Sequence, residues 1–228
     1  DLDKAVALDP DNAGFHLNRG VARYKRGDYW LALDALETAL KLKAPAPRVL
    51  QYRAEAHYAL GNITKAVDDI REGIKLAPKD AELYTALGLF GLRSRLYPQA
   101  LKDLDSAVRF DAANDKAHLY RGLAYAGLGD YSRASRSFRL AARHAEKPVD
   151  ALTLLCQSER LRDRQRNAIG ECNRALQVDP EHAPAFIQRG LAYFALRDYP
   201  KAVRDLDDGG RLAPPEPEAL LARSIAHV

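Results

Sequence analysis

Residues 115–148 read DKAHLYRGLAYAGLGDYSRASRSFRLAARHAEKP, and this stretch decides how the rest of the chain folds. Apolar and small residues recur in it at helical spacing in two runs, which Gly129, Asp130 and Tyr131 separate. A glycine followed by a short polar turn is typical of a boundary between two helices. The stretch therefore predicts a helix-turn-helix hairpin. Two helices of about 13 residues bury too little apolar surface to be stable alone, so such a hairpin needs neighbours.

The chain supplies these neighbours because the same pattern returns every 34 residues without an insertion. We number each repeat so that Asp115 is position 1. Position 20 is alanine in every complete repeat: Ala32, Ala66, Ala100, Ala134, Ala168 and Ala202. Positions 8 and 27 are always small, and position 24 holds larger residues: Leu36, Ile70, Leu104, Phe138 and Leu206. Small columns on both helices let the two backbones approach closely, while the large residues fill the space beside them.

This pattern resembles the tetratricopeptide repeat in its period, its small position 8, its alanine at position 20 and its small position 27. Tyr125 and Tyr193 supply the aromatic residue at position 11. Position 32 carries the proline of the pattern in Pro10, Pro78, Pro180 and Pro214. The chain departs from the family at position 4, which lacks tryptophan, and at position 7, which is usually arginine instead of leucine. The resemblance implies an all-α, right-handed superhelical solenoid of helix-turn-helix repeats.

The repeat register predicts one solenoid over residues 1–228. We expect residues 1–12 to be the second helix of a truncated repeat and residues 217–228 the first helix of another. The complete repeats are 13–46, 47–80, 81–114, 115–148, 149–182 and 183–216. The sequence contains no methionine, which suggests a piece of a longer chain or a processed product. In the last complete repeat, Gly209 and Gly210 predict a helix that frays or bends.

Composition and motifs argue against several classes of function. The net charge of +4 does not by itself imply nucleic acid. The longest stretch without charged residues, 83–92, is too short to span a membrane. We therefore expect a soluble protein, in the cytoplasm rather than the periplasm. No phosphate loop, nucleophile elbow or metal-spaced cluster is present, so the sequence predicts no enzyme activity and no cofactor.

The predicted function is a scaffold for protein–protein interaction. In the family that the chain resembles, the first helices line a concave groove, which implies an apolar and aromatic surface that binds a segment of a partner protein. These groove residues are Leu17, Val21, Tyr24, Tyr52, Tyr58, Leu89, Leu92, Leu119, Tyr120, Leu123, Leu154, Ile187, Leu191 and Phe194. The alternative is that some of them pack between neighbouring repeats, because apolar stripes at helical spacing are usually core.

A second interpretation starts from a concentration of arginine. Residues 131–174 contain ten Lys or Arg and five Asp or Glu. The candidate basic face consists of Arg133, Arg136, Arg139, Arg143, Arg160, Arg162, Arg164 and Arg166. Such a face is either ordinary solvated surface or a docking site for an acidic partner or a polyanion. A third possibility is a targeting array attached to an enzyme domain outside this chain.

Two sequence features predict specific contacts. Cys156 and Cys172 occupy positions 8 and 24 of one repeat, so we expect them to lie close together, as free thiols unless the protein is exported. Arginines at position 7 have an acid 18 residues earlier in four cases, which predicts ion pairs between successive repeats. These pairs are Asp1 with Arg19, Asp103 with Arg121, Glu171 with Arg189, and Asp205 with Arg223.

Overall fold

The structure is a computed structural model that describes residues 1–214 and 217–226, which form 14 α-helices and no strand. The contacts divide the chain into unit 1, residues 1–112, and unit 2, residues 113–228. Unit 1 contains α1 (Leu2–Leu8), α2 (Ala13–Arg26), α3 (Tyr29–Lys41), α4 (Ala46–Ala59), α5 (Ile63–Leu76), α6 (Ala81–Arg93) and α7 (Tyr97–Phe110). Unit 2 contains α8 (Asp115–Gly127), α9 (Tyr131–His144), α10 (Val149–Leu161), α11 (Gln165–Val178), α12 (Ala183–Ala195), α13 (Tyr199–Leu212) and α14 (Pro217–Ala226). The ends of the predicted segments 183–216 and 217–228 lie outside the described residues.

Each complete repeat is a pair of packed helices, from α2 with α3 in unit 1 to α12 with α13 in unit 2. The alanine at position 20 is fully buried in all six repeats. At position 8, a Cβ added to Gly20 would lie 2.6 Å from Cγ of Leu36, and one added to Gly190 would lie 2.8 Å from Cγ of Leu206. The small column therefore lets the large residue at position 24 lie directly against the backbone of the first helix.

The turn inside each repeat depends on one left-handed residue at position 15. Glycine takes this conformation in three repeats, with φ of 86° at Gly27, 79° at Gly61 and 76° at Gly129. Residues with side chains take it in the others: Arg95 (φ 58°), Asp163 (φ 60°) and Arg197 (φ 61°). The turn is thus kept where the sequence lacks glycine, although a Cβ raises the cost of this conformation.

Side-chain caps start several of the helices. The side chain of Asn12 accepts hydrogen bonds from the backbone N–H groups of Gly14 and Phe15 at 3.1 and 3.2 Å. Asn114 does the same for Ala117 at 2.8 Å. These contacts satisfy amide groups that have no partner within the helix.

The predicted fraying of the glycine-containing helix is wrong, because α13 runs without interruption from Tyr199 to Leu212. A Cβ at position 209 would lie 2.8 Å from Cγ1 of Ile187. Gly209 is therefore a point of close contact between α12 and α13, and the tertiary contact offsets the low helix propensity of glycine.

Candidate functional site

The first helices of successive repeats share one side of each unit. In unit 1, α2 contacts α4 and α4 contacts α6; in unit 2, α12 contacts both α10 and α14. Within residues 1–112, the second helices α3, α5 and α7 make no comparable contacts with one another. The first helices α2, α4 and α6 of unit 1 therefore lie side by side, as α10, α12 and α14 do in unit 2, while space is left between the second helices of unit 1.

Tyrosines dominate the first-helix surface of unit 1. The rings of Tyr24 and Tyr52 lie 5.9 Å apart, centroid to centroid, at an angle of 59°. Tyr58 stacks on Phe90 with centroids 4.3 Å apart. The guanidinium of Arg93 lies 5.6 Å from the centre of the Tyr58 ring. This spacing allows an attractive cation–π contact and shows that the ring accepts a guanidinium on its face.

A carboxylate lies among these rings. Glu55 accepts a hydrogen bond from Nε2 of Gln51 at 3.2 Å and is also hydrogen-bonded to Tyr24. Burial and the nearby charge of Glu55 raise the pKa of Tyr24 far above its ordinary value, although Arg93 opposes the shift. Sequence reasoning missed Glu55 because it looked for apolar residues in these columns. We call Tyr24, Tyr52, Glu55, Tyr58 and Arg93 the tyrosine face.

Three predicted groove residues are core residues instead. Leu17 packs in a buried cluster with Leu36 and Val49. Ile187 and Leu191, about 95% buried, pack with the helices α13 and α14. The prediction that these three side chains line a groove is wrong, because they are buried against the second helix of their own repeat and against the next repeat.

The remaining predicted groove residues are half-buried. Those that pack against the edges of the buried clusters of unit 1 are Val21, Tyr24, Tyr52 and Tyr58. Those that do so in unit 2 are Leu119, Leu123, Leu154 and Phe194. The other half-buried residues of the set are Leu89, Leu92 and Tyr120. A half-buried residue can contribute both to packing and to binding. The effect of a substitution at these positions on binding must therefore be compared with its effect on the free energy of unfolding.

The first-helix surface of unit 2 contains an arginine that binds a carboxylate. Nε of Arg160 donates to Oε1 of Gln188 at 3.1 Å. Its Nη1 and Nη2 donate to the two carboxylate oxygens of Glu218 at 2.9 and 3.3 Å. This contact links α10 across α12 to α14. The sequence placed Arg160 on a basic face, but its side chain is 11% exposed and its charge is paired.

The eight arginines of the predicted basic face do not form one free cationic surface. The carboxylate of Glu159, whose side chain is 1% exposed, forms ion pairs with three arginines. The nitrogen–oxygen distances are 2.9 Å for Arg162, 3.4 Å for Arg139 and 3.9 Å for Arg164. Burial of this carboxylate explains why three arginines gather there, since a buried charge must be paired. Outside this cluster and the Arg160 contact, Arg133 lies on Tyr125 and beside Asp130, whereas Arg136, Arg143 and Arg166 are exposed.

The ion pairs of the arginines at position 7 also differ from the prediction. Arg189 is bound to Asp205 of its own repeat at 2.7 and 2.8 Å, while Glu171 is paired with Arg174. Arg53 binds Asp69 in the same way, at 2.8 and 2.6 Å. Position 7 and position 23 of one repeat thus meet across the hairpin.

Other arginines in this column use an acid 16 residues earlier instead of 18. Arg19 lies 3.6 Å from Asp3, and Arg223 lies 3.2 Å from Asp207. Arg121 donates to the Ser137 hydroxyl at 3.3 Å. The 18-residue rule is therefore wrong for Arg19, Arg189 and Arg223.

The two cysteines are bonded, which corrects the expectation of free thiols. Cys156 and Cys172 form a disulfide with their α-carbons 5.4 Å apart, and both residues are fully buried. They occupy the positions where three other repeats place glycine against leucine. The bond therefore joins the first helix of the repeat, α10, to the second, α11.

Within residues 1–214 and 217–226, no group of three or more His, Cys, Asp or Glu could hold a metal ion. His57 is buried, and desolvation lowers its pKa, as expected for a histidine used in packing. In the same part of the chain, no helix is both long and apolar enough to cross a membrane.

Paired helices in 34-residue register, small residues at the crossings and a surface of first helices define a helical-repeat protein. Two family models described as tetratricopeptide repeat match residues 1–47 and 47–90. Residues 1–90 thus match the tetratricopeptide repeat family, and the fold of the chain is an all-α solenoid of tetratricopeptide repeats.

Relatives and solved structures agree with this fold. The chain is 28% identical over 179 residues to the DnaJ protein P58IPK homolog of Arabidopsis thaliana, an alignment that covers 78% of this chain and 33% of that protein. PilF of Pseudomonas aeruginosa superposes with a TM-score of 0.81 at 15% identity, covering 93% of this chain and 97% of that one. TTC0263, a tetratricopeptide repeat protein of Thermus thermophilus, superposes with a TM-score of 0.65 at 24% identity. The superposition covers 79% of this chain and 98% of that one. At these identities, the two structures show the fold alone.

Proposed function

We propose that this chain is a non-catalytic scaffold whose first helices bind a segment of another protein. The observation that carries the proposal is the tyrosine face of unit 1. Tyr52 and Tyr58 are half-buried, so part of each ring remains accessible on a surface that the packing of the first helices holds in place. Aromatic side chains on a rigid surface offer a partner a large contact area at little cost in conformational entropy.

Polar groups on the same surface would set the register of a bound segment. Glu55 presents an acidic group between the tyrosines, and Arg93 presents a cation beside Tyr58. A helix or an extended peptide with an apolar anchor could use the rings for affinity and these charges for orientation. The family and the relatives support a protein partner in general terms.

Selection of peptides from a displayed library on the immobilised chain tests this proposal. Selected peptides are then measured against the double variant Tyr52→Ala/Tyr58→Ala, which should lose about 1–3 kcal/mol of binding free energy, the usual scale for interface anchors. Glu55→Gln leaves the packing in place and should weaken only those peptides that carry a basic residue. Circular dichroism and urea unfolding establish whether each variant remains folded.

Trp30→Ala is the matched control, because Trp30 is a large aromatic residue that is 70% exposed on the second helix α3. Its loss should leave the binding of the selected peptides unchanged. Peptides that depend on Trp30 and tolerate the loss of both tyrosines would show that the second helices, not the first, carry the binding surface.

A further inference from the structure

A cavity of about 150 Å³ lies between α5, α6 and α7 of unit 1. Its walls are largely apolar, with Ile63, Val67, Leu87 and Phe90 among them, and Asp103 also lines it. A water molecule takes up about 30 Å³ in the liquid, so the cavity has room for roughly five. It lies in the space between the second helices α5 and α7, and one of its wall residues, Phe90, stacks on Tyr58 of the tyrosine face.

Two residues that line the cavity, Leu87 and Gly91, depart from the pattern of the other repeats. Position 7, which is arginine in most repeats, is Leu87 here. Position 11 is Gly91, where the preceding repeat has the buried His57. Repeat 81–114 therefore lacks two large polar side chains at the site where repeat 47–80 places Arg53 and His57.

The acid at position 23 is retained although its arginine is missing. Asp69 and Asp205, in the same column, each bind a guanidinium through both carboxylate oxygens. Asp103 instead accepts from Nε2 of Gln99, at 3.3 and 3.5 Å. Burial raises the pKa of Asp103 even though Arg71 and Lys102 act to lower it. The neighbouring cations therefore do not fully offset the cost of burying the negative charge of Asp103.

Arg71 is a cation that already lines this site. It lines the cavity and is exposed, but within residues 1–112 it makes no ion pair with Asp103 at a nitrogen–oxygen distance of 4.0 Å or less. Arg71 would oppose the entry of another cation. Its removal should therefore improve binding of any cation that uses Asp103.

We propose that this cavity is a binding site for a guanidinium group on a short alkyl stem, with Asp103 as its charged partner. The stem would lie against Leu87, Ile63 and Val67, and the guanidinium would take the place that the arginine of position 7 occupies beside Asp69 and Asp205. A guanidinium is favoured over an ammonium because its planar donors match a carboxylate at two points. This chemistry belongs either to a free arginine-like amine or to an arginine side chain of a partner segment. The site is separate from the proposed function, since it uses none of the tyrosine face.

Titration of the isotopically labelled chain with agmatine, followed by NMR, tests the proposal directly. Agmatine, a dication, should shift the amide signals of α5, α6 and α7 more strongly than 1,4-diaminobutane, which has the same charge and stem length but no guanidinium. Asp103→Asn should weaken agmatine binding about tenfold or more. Asp68→Asn, which removes an exposed acid from the same unit, is the control for general charge attraction and should leave binding unchanged. Arg71→Gln should tighten it.

The variant Leu87→Arg supplies the missing side chain from the protein itself. It should abolish agmatine binding and raise the unfolding temperature, because the new arginine can bind Asp103 as Arg53 binds Asp69. Nα-acetyl-arginine amide, tested beside agmatine, distinguishes the two sources: binding of both indicates a peptide side chain, and binding of agmatine alone indicates a small free molecule. Absence of binding of either probe to the unaltered chain, or equal binding by Asp103→Asn, would overturn the proposal.

Discussion

Arg189 and Asp205 form a two-point ion pair across the hairpin of α12 and α13, with nitrogen–oxygen distances of 2.7 and 2.8 Å. The arginine also donates to Oδ1 of Asn173 at 2.6 Å, so it ties the second helix of the preceding repeat to its own hairpin. The hydrogen bond with Asp205 raises the pKa of Arg189 above its ordinary value. The pair therefore stabilises both the hairpin and the stacking of repeats.

Replacement of Arg189 by Leu should lower the free energy of unfolding by about 2–3 kcal/mol, because it leaves the buried Asp205 without a cation. The double variant Arg189→Leu/Asp205→Ala should lose less than the single variant, since no unpaired charge remains. Urea unfolding measures both. Arg204→Leu, at an exposed site on α13, should change stability by no more than about 0.5 kcal/mol. Equal losses in the single and double variants would show that lost packing, not the unpaired acid, is the cause.

The disulfide should contribute measurably to stability. Cys156 and Cys172 are 16 residues apart, and closing a loop of about that length stabilises a protein by about 3 kcal/mol in the chain-entropy description. A sample that is unfolded and refolded in a reductant, so that the disulfide is reduced, should therefore have a lower unfolding temperature than a sample kept under oxidising conditions.

The variant Cys156→Gly/Cys172→Leu is the matched control for the disulfide. It restores the glycine–leucine pair that Gly190 and Leu206 form in the next repeat. Its unfolding temperature should be the same with and without reductant. If the unfolding temperature of the unaltered chain is also the same with and without reductant, the disulfide does not form in solution.

Substitution of Arg197 by glycine should stabilise the protein by about 1 kcal/mol, because this residue holds a left-handed φ of 61° at which a Cβ is unfavourable. The reverse change, Gly129→Ala, should destabilise it by a similar amount. Thermal unfolding of both variants checks the prediction. A loss of stability in Arg197→Gly would mean that the arginine side chain makes a contribution larger than the strain it carries.

The raised pKa of Asp103 predicts a specific dependence of stability on pH. Because the folded chain holds this proton to a higher pH than the unfolded chain does, the folded state binds more protons between the ordinary and the raised pKa. Stability should therefore fall as the pH rises through that interval. Asp103→Asn should remove this component, so its stability relative to the unaltered chain should increase with pH and then level off. A difference that does not change with pH would contradict the assignment.

The sequence alone determined the repeat, and the reason is that the contacts within a hairpin are local. The 34-residue period, the buried alanine at position 20 and the small residue facing position 24 all follow from helical spacing within one repeat. The turn is a similar case: Asp163 takes the left-handed conformation at position 15 although the sequence offers no glycine there. Backbone geometry imposed by two packed helices is stronger than the preference of a single residue.

The tertiary structure decided which of several equally spaced partners each side chain uses. Offsets of 16 and 18 residues both placed acids near the arginines of position 7, and only the packing shows that Arg189 takes Asp205 and leaves Glu171 to Arg174. It also buried Leu17 in the core and tied Arg160 to Glu218, two residues that are 58 positions apart. These outcomes depend on the direction of each side chain relative to the next repeat. Helical periodicity fixes a residue's face on its own helix, but the neighbouring helices decide whether that face is covered.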